Sequence, residues 1–239
     1  MNKTKIEWTD YTWNPIKGMC PTGCWYCYAR RMYQRFKWDE EVRFELLESL
    51  ENITYKNRGT TFGDNIKFRP QSKIKKGSKI FVCSTFELFH PVVKRKWQDK
   101  IFETIELNPQ HIFQILTKFP QNIDRYIPDN CWLGVTVTGS HERFKLNKLL
   151  QNKARLYFAS FEPLGGYVKA DGYRLEFSLL NWIIIGGMTG HGKRYRPEKE
   201  WIELIVKEAR RYKIPLFLKD NLIPIMGKEY VMKFREFPK

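Results

Sequence analysis

The chain has 239 residues, with 42 Lys and Arg against 26 Asp and Glu, a formal net charge of +16 and a pI near 9.6. No apolar run approaches the roughly 20 residues needed to cross a bilayer, and the N-terminus MNKTKIEWTD has no apolar signal core with a small-residue cleavage site. The sequence therefore reads as a non-membrane protein of the cytoplasm, where thiols stay reduced and clustered cysteines are expected to bind metal or do redox chemistry. Its positive charge draws polyanions, nucleic acid first, with a generic basic surface as the plain alternative.

Short apolar, β-branched or aromatic runs bounded by turn residues predict buried strands within 11–18 and at 79–83, 111–116, 131–137, 154–160, 181–187 and 214–219. Between them, helical spacing and capping chemistry predict helices from about Tyr28 and over 94–107, 139–152 and 196–212. In the last of these, Pro197 suits the first turn, and Trp201, Leu204, Ile205 and Ala209 form one face. Residues 38–78 fit less well and read as an insertion carrying a helix. Strand and helix alternate along one domain, 1–239, so the expectation is an α/β fold with mostly parallel strands.

Polar and glycine-rich segments follow the strands: the cysteine loop, STFELFH (84–90), TKFP (117–120), TGSHER (138–143), FEPLGG (161–166) and MTGHGKR (188–194). Strand C-termini are where α/β barrels and open α/β sheets build their sites. The first loop holds Cys20, Cys24 and Cys27 in the spacing C-x3-C-x2-C. Zinc fingers and ribbons supply four ligands as two separated pairs, and no second pair follows here. A thioredoxin-type CWYC is present, but that motif needs no third cysteine. Cys131 begins its strand, at the far end of the domain; Cys83 ends its strand and stays open as a fourth ligand. Three thiolates alone would hold a [4Fe–4S] cluster by three irons and leave the fourth iron open.

CPTGCWYC (20–27) resembles the signature of radical S-adenosylmethionine (SAM) enzymes, with Tyr26 in the aromatic position. The wider pattern of IEWTDYTWNP (6–15), IFVCSTFELFHP (80–91), LTKFP (116–120), WLGVTV (132–137), SFEPLGG (160–166) and WIIIGG (182–187) resembles a phage- and prophage-associated radical SAM family of poorly defined function. The chain departs from that family at Met188, where a carboxylate is usual, and at Thr138, where an acidic residue is common.

This resemblance implies a partial (β/α) barrel and an enzyme that cleaves SAM reductively to a 5′-deoxyadenosyl radical. Cys20, Cys24 and Cys27 would be the iron ligands, and a small electron donor such as a flavodoxin or ferredoxin would feed the cluster. SAM would meet Tyr26, Ser84, Thr85, Glu87, Thr136, Thr138, Gly186 and Gly187. Lys118, Glu162, His191, Lys193 and Arg194 lie in loops at the same end and are the substrate-side candidates; their charge points to RNA or DNA. A non-catalytic iron–sulfur or zinc protein that binds nucleic acid stays open as an alternative, as does a radical SAM enzyme acting on a peptide or small molecule. For the single residues, plainer roles compete: Ser84 and Thr85 as turn caps, Glu162 as a loop brace, Trp8 and Trp13 as core.

Overall fold

A computed structural model describes residues 1–46, 74–169, 172, 174–190 and 192–239. Most of the expected insertion, and His191, lie outside the described residues.

Among the described residues eight strands make one sheet: β1 Asn2–Lys3, β2 Tyr11–Trp13, β5 Lys79–Val82, β6 Ile112–Thr117, β7 Cys131–Thr136, β8 Leu156–Phe161, β9 Trp182–Ile185 and β10 Leu216–Leu218, in that spatial order. β1 pairs antiparallel with β2, and every other neighbour is parallel. A small hairpin of β3 Ile16–Lys17 and β4 Arg43–Phe44 stands apart. The single strand expected within 11–18 is thus two, because Pro15 supplies no N–H to continue a ladder.

Helices α1 Tyr28–Phe36, α2 Arg95–Glu106, α3 Arg143–Leu150, α4 Arg174–Ser178 and α5 Lys199–Arg211 alternate with the strands. Three expectations shift. The 139–152 helix opens with a 3₁₀ turn, Ser140–Glu142, before Arg143. The last long helix starts at Lys199 rather than around Pro197, with Glu198 extended before it. Its buried face is Ile202, Ile205, Val206 and Ala209, while Trp201 and Leu204 are only half-buried, a rotation of one position.

Each strand divides its side chains by the two-residue alternation. Ile80, Val82, Phe113, Ile115, Leu133, Val135, Ala159, Phe161, Ile183 and Ile185 join the large outer core under the helices. Phe81, Leu156, Phe158, Trp182, Ile184 and Phe217 face the other way and form a second, inner cluster around Trp8. The Trp8 ring lies 4.8 Å from Phe81 and 6.1 Å from Trp182, so the segment after β1 plugs the inside of the curved sheet. Trp8 and Trp13 are core residues, at 2% and 0% exposed.

The sheet is not closed: β1 and β10 are its two ends. Side chains join those ends instead. Arg235 pairs with Glu7, which follows β1, at 2.7 Å and with Asp220, which follows β10; the Asp220 N–H donates to Glu7 at 2.9 Å. No helix among the described residues is long and apolar enough to cross a membrane.

The inner cluster sets a steric condition at Gly134, in the middle of β7. A Cβ there would come within 2.3 Å of the Phe158 ring. Gly134→Ala is therefore expected to destabilise the fold by about 1–3 kcal/mol through overpacking. Chemical denaturation checks it: the Gly134→Ala/Phe158→Leu double variant should lose less than the two single losses added, because the second change makes room for the first.

Candidate active site

The cysteine loop runs from Gly18 to Cys27 and delivers the chain into α1. Gly18 is required at its entrance, with φ +97° and the Glu41 carbonyl oxygen 2.2 Å from where a Cβ would stand. Cys27 is the N-cap of α1; its sulfur accepts the Arg30 N–H at 3.4 Å, so one thiol sits on the positive end of the helix. Cys20, Cys24 and Cys27 are all partly exposed. Burial raises the Cys24 thiol above its usual range, and the nearby Cys27 and Cys20 add to that. The Lys118 ammonium and a Tyr26 hydrogen bond oppose the rise. The three thiols thus lie close enough to feel one another, with Lys118 as the cation beside them. Among the described residues, no three Cys, His, Asp or Glu side chains converge on a point that could hold one metal ion.

The other two cysteines are buried. Burial drives both Cys83 and Cys131 well above the usual thiol range. Cys131 is the first residue of β7, away from the strand C-termini. Cys83 directly follows β5, near Cys20, with the Glu87 charge raising it further.

The polar loop residues gather at the strand C-termini. Ser84 donates to the Asn14 side chain at 3.1 Å, and the same oxygen accepts the Thr85 N–H at 3.4 Å. Glu87 is 6% exposed and turned inward. One of its oxygens accepts Thr117 Oγ1 at 2.5 Å and the Phe89 N–H at 3.2 Å; the other accepts the Lys118 N–H at 2.8 Å. Its carboxylate is therefore committed to fixing the backbone that presents Lys118. Thr136 is buried at the end of β7.

Thr138 gives both its N–H, at 2.6 Å, and its hydroxyl, at 2.9 Å, to Glu142, which also pairs with Lys145. Tyr26 is the neighbour: burial raises its phenol above the usual range, and the charges of Cys24 and Glu142 raise it further. A carboxylate thus stands beside Thr138 after all, supplied from four residues further along.

Across the mouth, Glu162 forms an ion pair with Lys219, their side chains 23% and 16% exposed. Both crowd Gly186, where a Cβ would meet each at 3.0 Å. Gly187 is tied through its N–H, at 2.9 Å, and its carbonyl, at 2.8 Å, to the Asn221 side chain. Lys193 and Arg194 are exposed in a 3₁₀ turn; Arg194 lies 5.4 Å over the Tyr195 ring, which in turn meets Trp25 at 5.2 Å.

A cleft of about 670 Å³ opens beside this group, lined among others by Thr12, Asn14, Tyr28, Met32, Ser84 and Thr85. Its roof is α1. The buried residues of α1, Ala29 and Tyr33, belong to neither apolar cluster. Polar straps hold the helix instead. Tyr28 donates to the Ser84 carbonyl at 3.3 Å, and Arg30 to the Cys20 carbonyl at 2.9 Å. Arg31 reaches the Thr189 and Gly190 carbonyls at 3.0 and 3.1 Å, and the Tyr33 hydroxyl accepts the Gly18 N–H at 3.0 Å.

Of the residues read from the sequence, the structure brings the three cysteines, Tyr26, Lys118 and Thr138 to one face, with Ser84 and Thr85 in the adjoining cleft. Glu162 and Gly186 stand beside Lys219, and Arg194 joins through Tyr195 and Trp25. Asn14, Glu142, Lys219 and Asn221 were not singled out. Lys219 had a signal, since it is the last residue of the IPLFLK segment, at a strand C-terminus. Asn14 lies in the IEWTDYTWNP pattern and Glu142 in the TGSHER loop, but their partners, Ser84 and Thr138, are distant or offset in sequence, so the segment and not the single residue is marked.

Glu142 titrates with a definite sign. Burial alone would raise its pKa, but Lys145 and the two Thr138 donors outweigh that and hold it below the ordinary 4.5. A depressed carboxylate stabilises the fold above its unfolded value and loses that stabilisation as pH falls through the folded one. Glu142→Gln should therefore cost about 1–3 kcal/mol at neutral pH. The gap to the parent should narrow steadily as pH falls below 4.5; denaturant titrations across that range check it.

Three solved structures align with this chain, all of spore photoproduct lyase, and two of them share its fold. A single-substitution variant aligns with TM-score 0.56 at 11% identity, covering 91% of this chain and 78% of that one. A doubly substituted variant with bound AdoMet and dinucleoside spore photoproduct gives TM-score 0.50 at 12% identity, covering 88% and 64%. A complex with dinucleoside spore photoproduct gives TM-score 0.47 at 11%, covering 88% and 63%. The chain thus spans less than two thirds of the length of two of them, and at these identities the likeness is one of fold. No curated protein sequence matches the chain. The family profile described as "Protein of unknown function (DUF5131)" matches residues 3–223, and the chain belongs to that family.

Proposed function

We propose that the protein is a radical SAM enzyme of the strand C-terminal face, holding a [4Fe–4S] cluster on Cys20, Cys24 and Cys27 and acting on a nucleic acid. The observation that carries the reading is the arrangement of the three thiols. They share one partly exposed loop in the spacing C-x3-C-x2-C, with Cys24 feeling both the other two thiols and Lys118. Three thiolates suit a cubane, which takes one per iron and leaves the fourth iron open. The fold shared with spore photoproduct lyase supports the same reading.

Such a cluster, when bound, supplies the electron that splits SAM to methionine and a 5′-deoxyadenosyl radical. The chain's own residues bind, orient and screen. Lys118 offsets part of the thiolate charge, and Glu87 holds it in place from behind. Ser84, Thr85 and Asn14, tied to one another, line the cleft under α1, whose volume is in the range of small-molecule sites. Tyr26, Thr138 and Thr136 border the loop on the side of β7, and Gly186 and Gly187 let the backbone come close on the side of β9. Glu162 with Lys219 forms a charged pair on the opposite rim, the place where a polar substrate group would be met. Lys193 and Arg194 extend the positive rim outward; His191 belongs to the same proposal by its place in the sequence. The net charge of +16 favours a phosphate-bearing substrate over a neutral one.

Anaerobic reconstitution tests this. The protein should take up about four irons per chain and, with dithionite and SAM, release 5′-deoxyadenosine. Cys20→Ala, Cys24→Ala and Cys27→Ala should each abolish that release, while Cys131→Ala keeps it. Release that survives Cys24→Ala, or none from the parent protein, contradicts the proposal.

A further inference from the structure

In an ordinary amphipathic helix the apolar stripe turns to the core; α1 turns part of its own outward. Tyr28, Met32 and Phe36, spaced four apart, are 46%, 37% and 52% exposed, and Trp38 just beyond is 46% exposed. Phe36 and Trp38 stack at 5.4 Å and 22°, with the Arg35 guanidinium 5.3 Å over Phe36. At the other end, Trp25 is 60% exposed next to Cys24. From Ile16 to Trp38 the chain carries Lys17, Arg30, Arg31, Arg35 and Lys37 and no acidic residue; Arg30 and Arg31 also brace backbone carbonyls, and the exposed Asp39, Glu40 and Glu41 follow beyond Trp38. The cleft under the helix, which Lys17 also lines, adds Lys5; its third cation, Arg43, is held by Asp39 and Glu45.

Exposed rings in a row mark an interaction surface, and cations between them select what lies on it. A flat aromatic partner bearing negative charge satisfies both: bases stack on the rings while phosphates meet the arginines and lysines. A duplex does not, because its bases are already stacked and paired. We propose that α1 and the cleft it roofs are a platform for a single strand of nucleic acid, which the row from Trp38 to Trp25 leads toward the cysteine loop. Recognition is by stacking and phosphate, so deoxyribose and ribose strands are accepted alike. This rests on the nucleic-acid reading above and names which form of nucleic acid, and which surface.

Fluorescence anisotropy on the full chain, with labelled oligothymidylate, oligouridylate and a duplex of equal length, tests the platform. Both single strands should bind at least tenfold more tightly than the duplex. Phe36→Ala/Trp38→Ala should weaken them about tenfold or more, given what base stacking contributes, and Phe36→Tyr/Trp38→Phe should restore binding, with unchanged circular dichroism throughout. Single-strand affinity that is unmoved in the alanine variant, a preference for the duplex, or equal displacement by polyglutamate overturns the platform. The two readings fail separately. Strand binding by a protein that releases no 5′-deoxyadenosine sinks the radical chemistry and leaves the platform standing. Normal release together with unmoved affinity in the alanine variant sinks the platform alone.

Discussion

The site depends on how α1 is held. Burial of apolar surface fixes the other long helices to the sheet, but α1 is carried by hydrogen bonds from Tyr28, Arg30, Arg31 and Tyr33 to the cysteine loop and to the loops after β5 and β9. Each such bond contributes on the order of 1 kcal/mol, so the helix is positioned without filling the space beneath it. That leaves a cleft open beneath α1, the helix that Cys27 caps. The same contacts bind the loop that carries the three thiols to the strand ends around it. A helix packed conventionally on the sheet would have removed the cleft.

Charge is arranged around this geometry in two layers. Next to the thiols the cation is Lys118, its backbone N–H held by one oxygen of Glu87 while the other takes the Thr117 hydroxyl and the Phe89 N–H. Glu142 and Glu162 each stand against a lysine, so the acidic residues nearest the mouth are largely neutralised where they sit. Further out, Arg35, Lys37, Lys193 and Arg194 stay exposed. These four cations add positive charge outside the mouth, alongside the exposed Asp39, Glu40 and Glu41 that follow α1.

The parallel strands were legible because six of the seven apolar runs match observed strands to within two or three residues, the run within 11–18 being split in two, and because buried parallel strands need continuous apolar sequence. The cysteine loop was legible from spacing alone. What was not legible depended on distance in sequence or on rotation. The face of α5 was misplaced by one position because Trp201 and Leu204 are apolar yet sit at its edge. Glu87 read as a ligand-facing carboxylate, whereas Thr117 and Lys118, thirty residues on, hold it inward. Glu142 restores a carboxylate beside Thr138 through a 3₁₀ turn that the helical pattern of 139–152 concealed. The outward stripe of α1 follows the same spacing as a core-facing one, and only the structure shows which way it points.

The central claim is that one iron of a cluster on Cys20, Cys24 and Cys27 is left open to SAM. Electron paramagnetic resonance of the dithionite-reduced, reconstituted protein tests it most directly. A reduced [4Fe–4S] signal whose g-values shift when SAM is added is the predicted result, since SAM would coordinate the open iron. A signal that SAM leaves unchanged, or the lack of any reduced-cluster signal, would contradict the account.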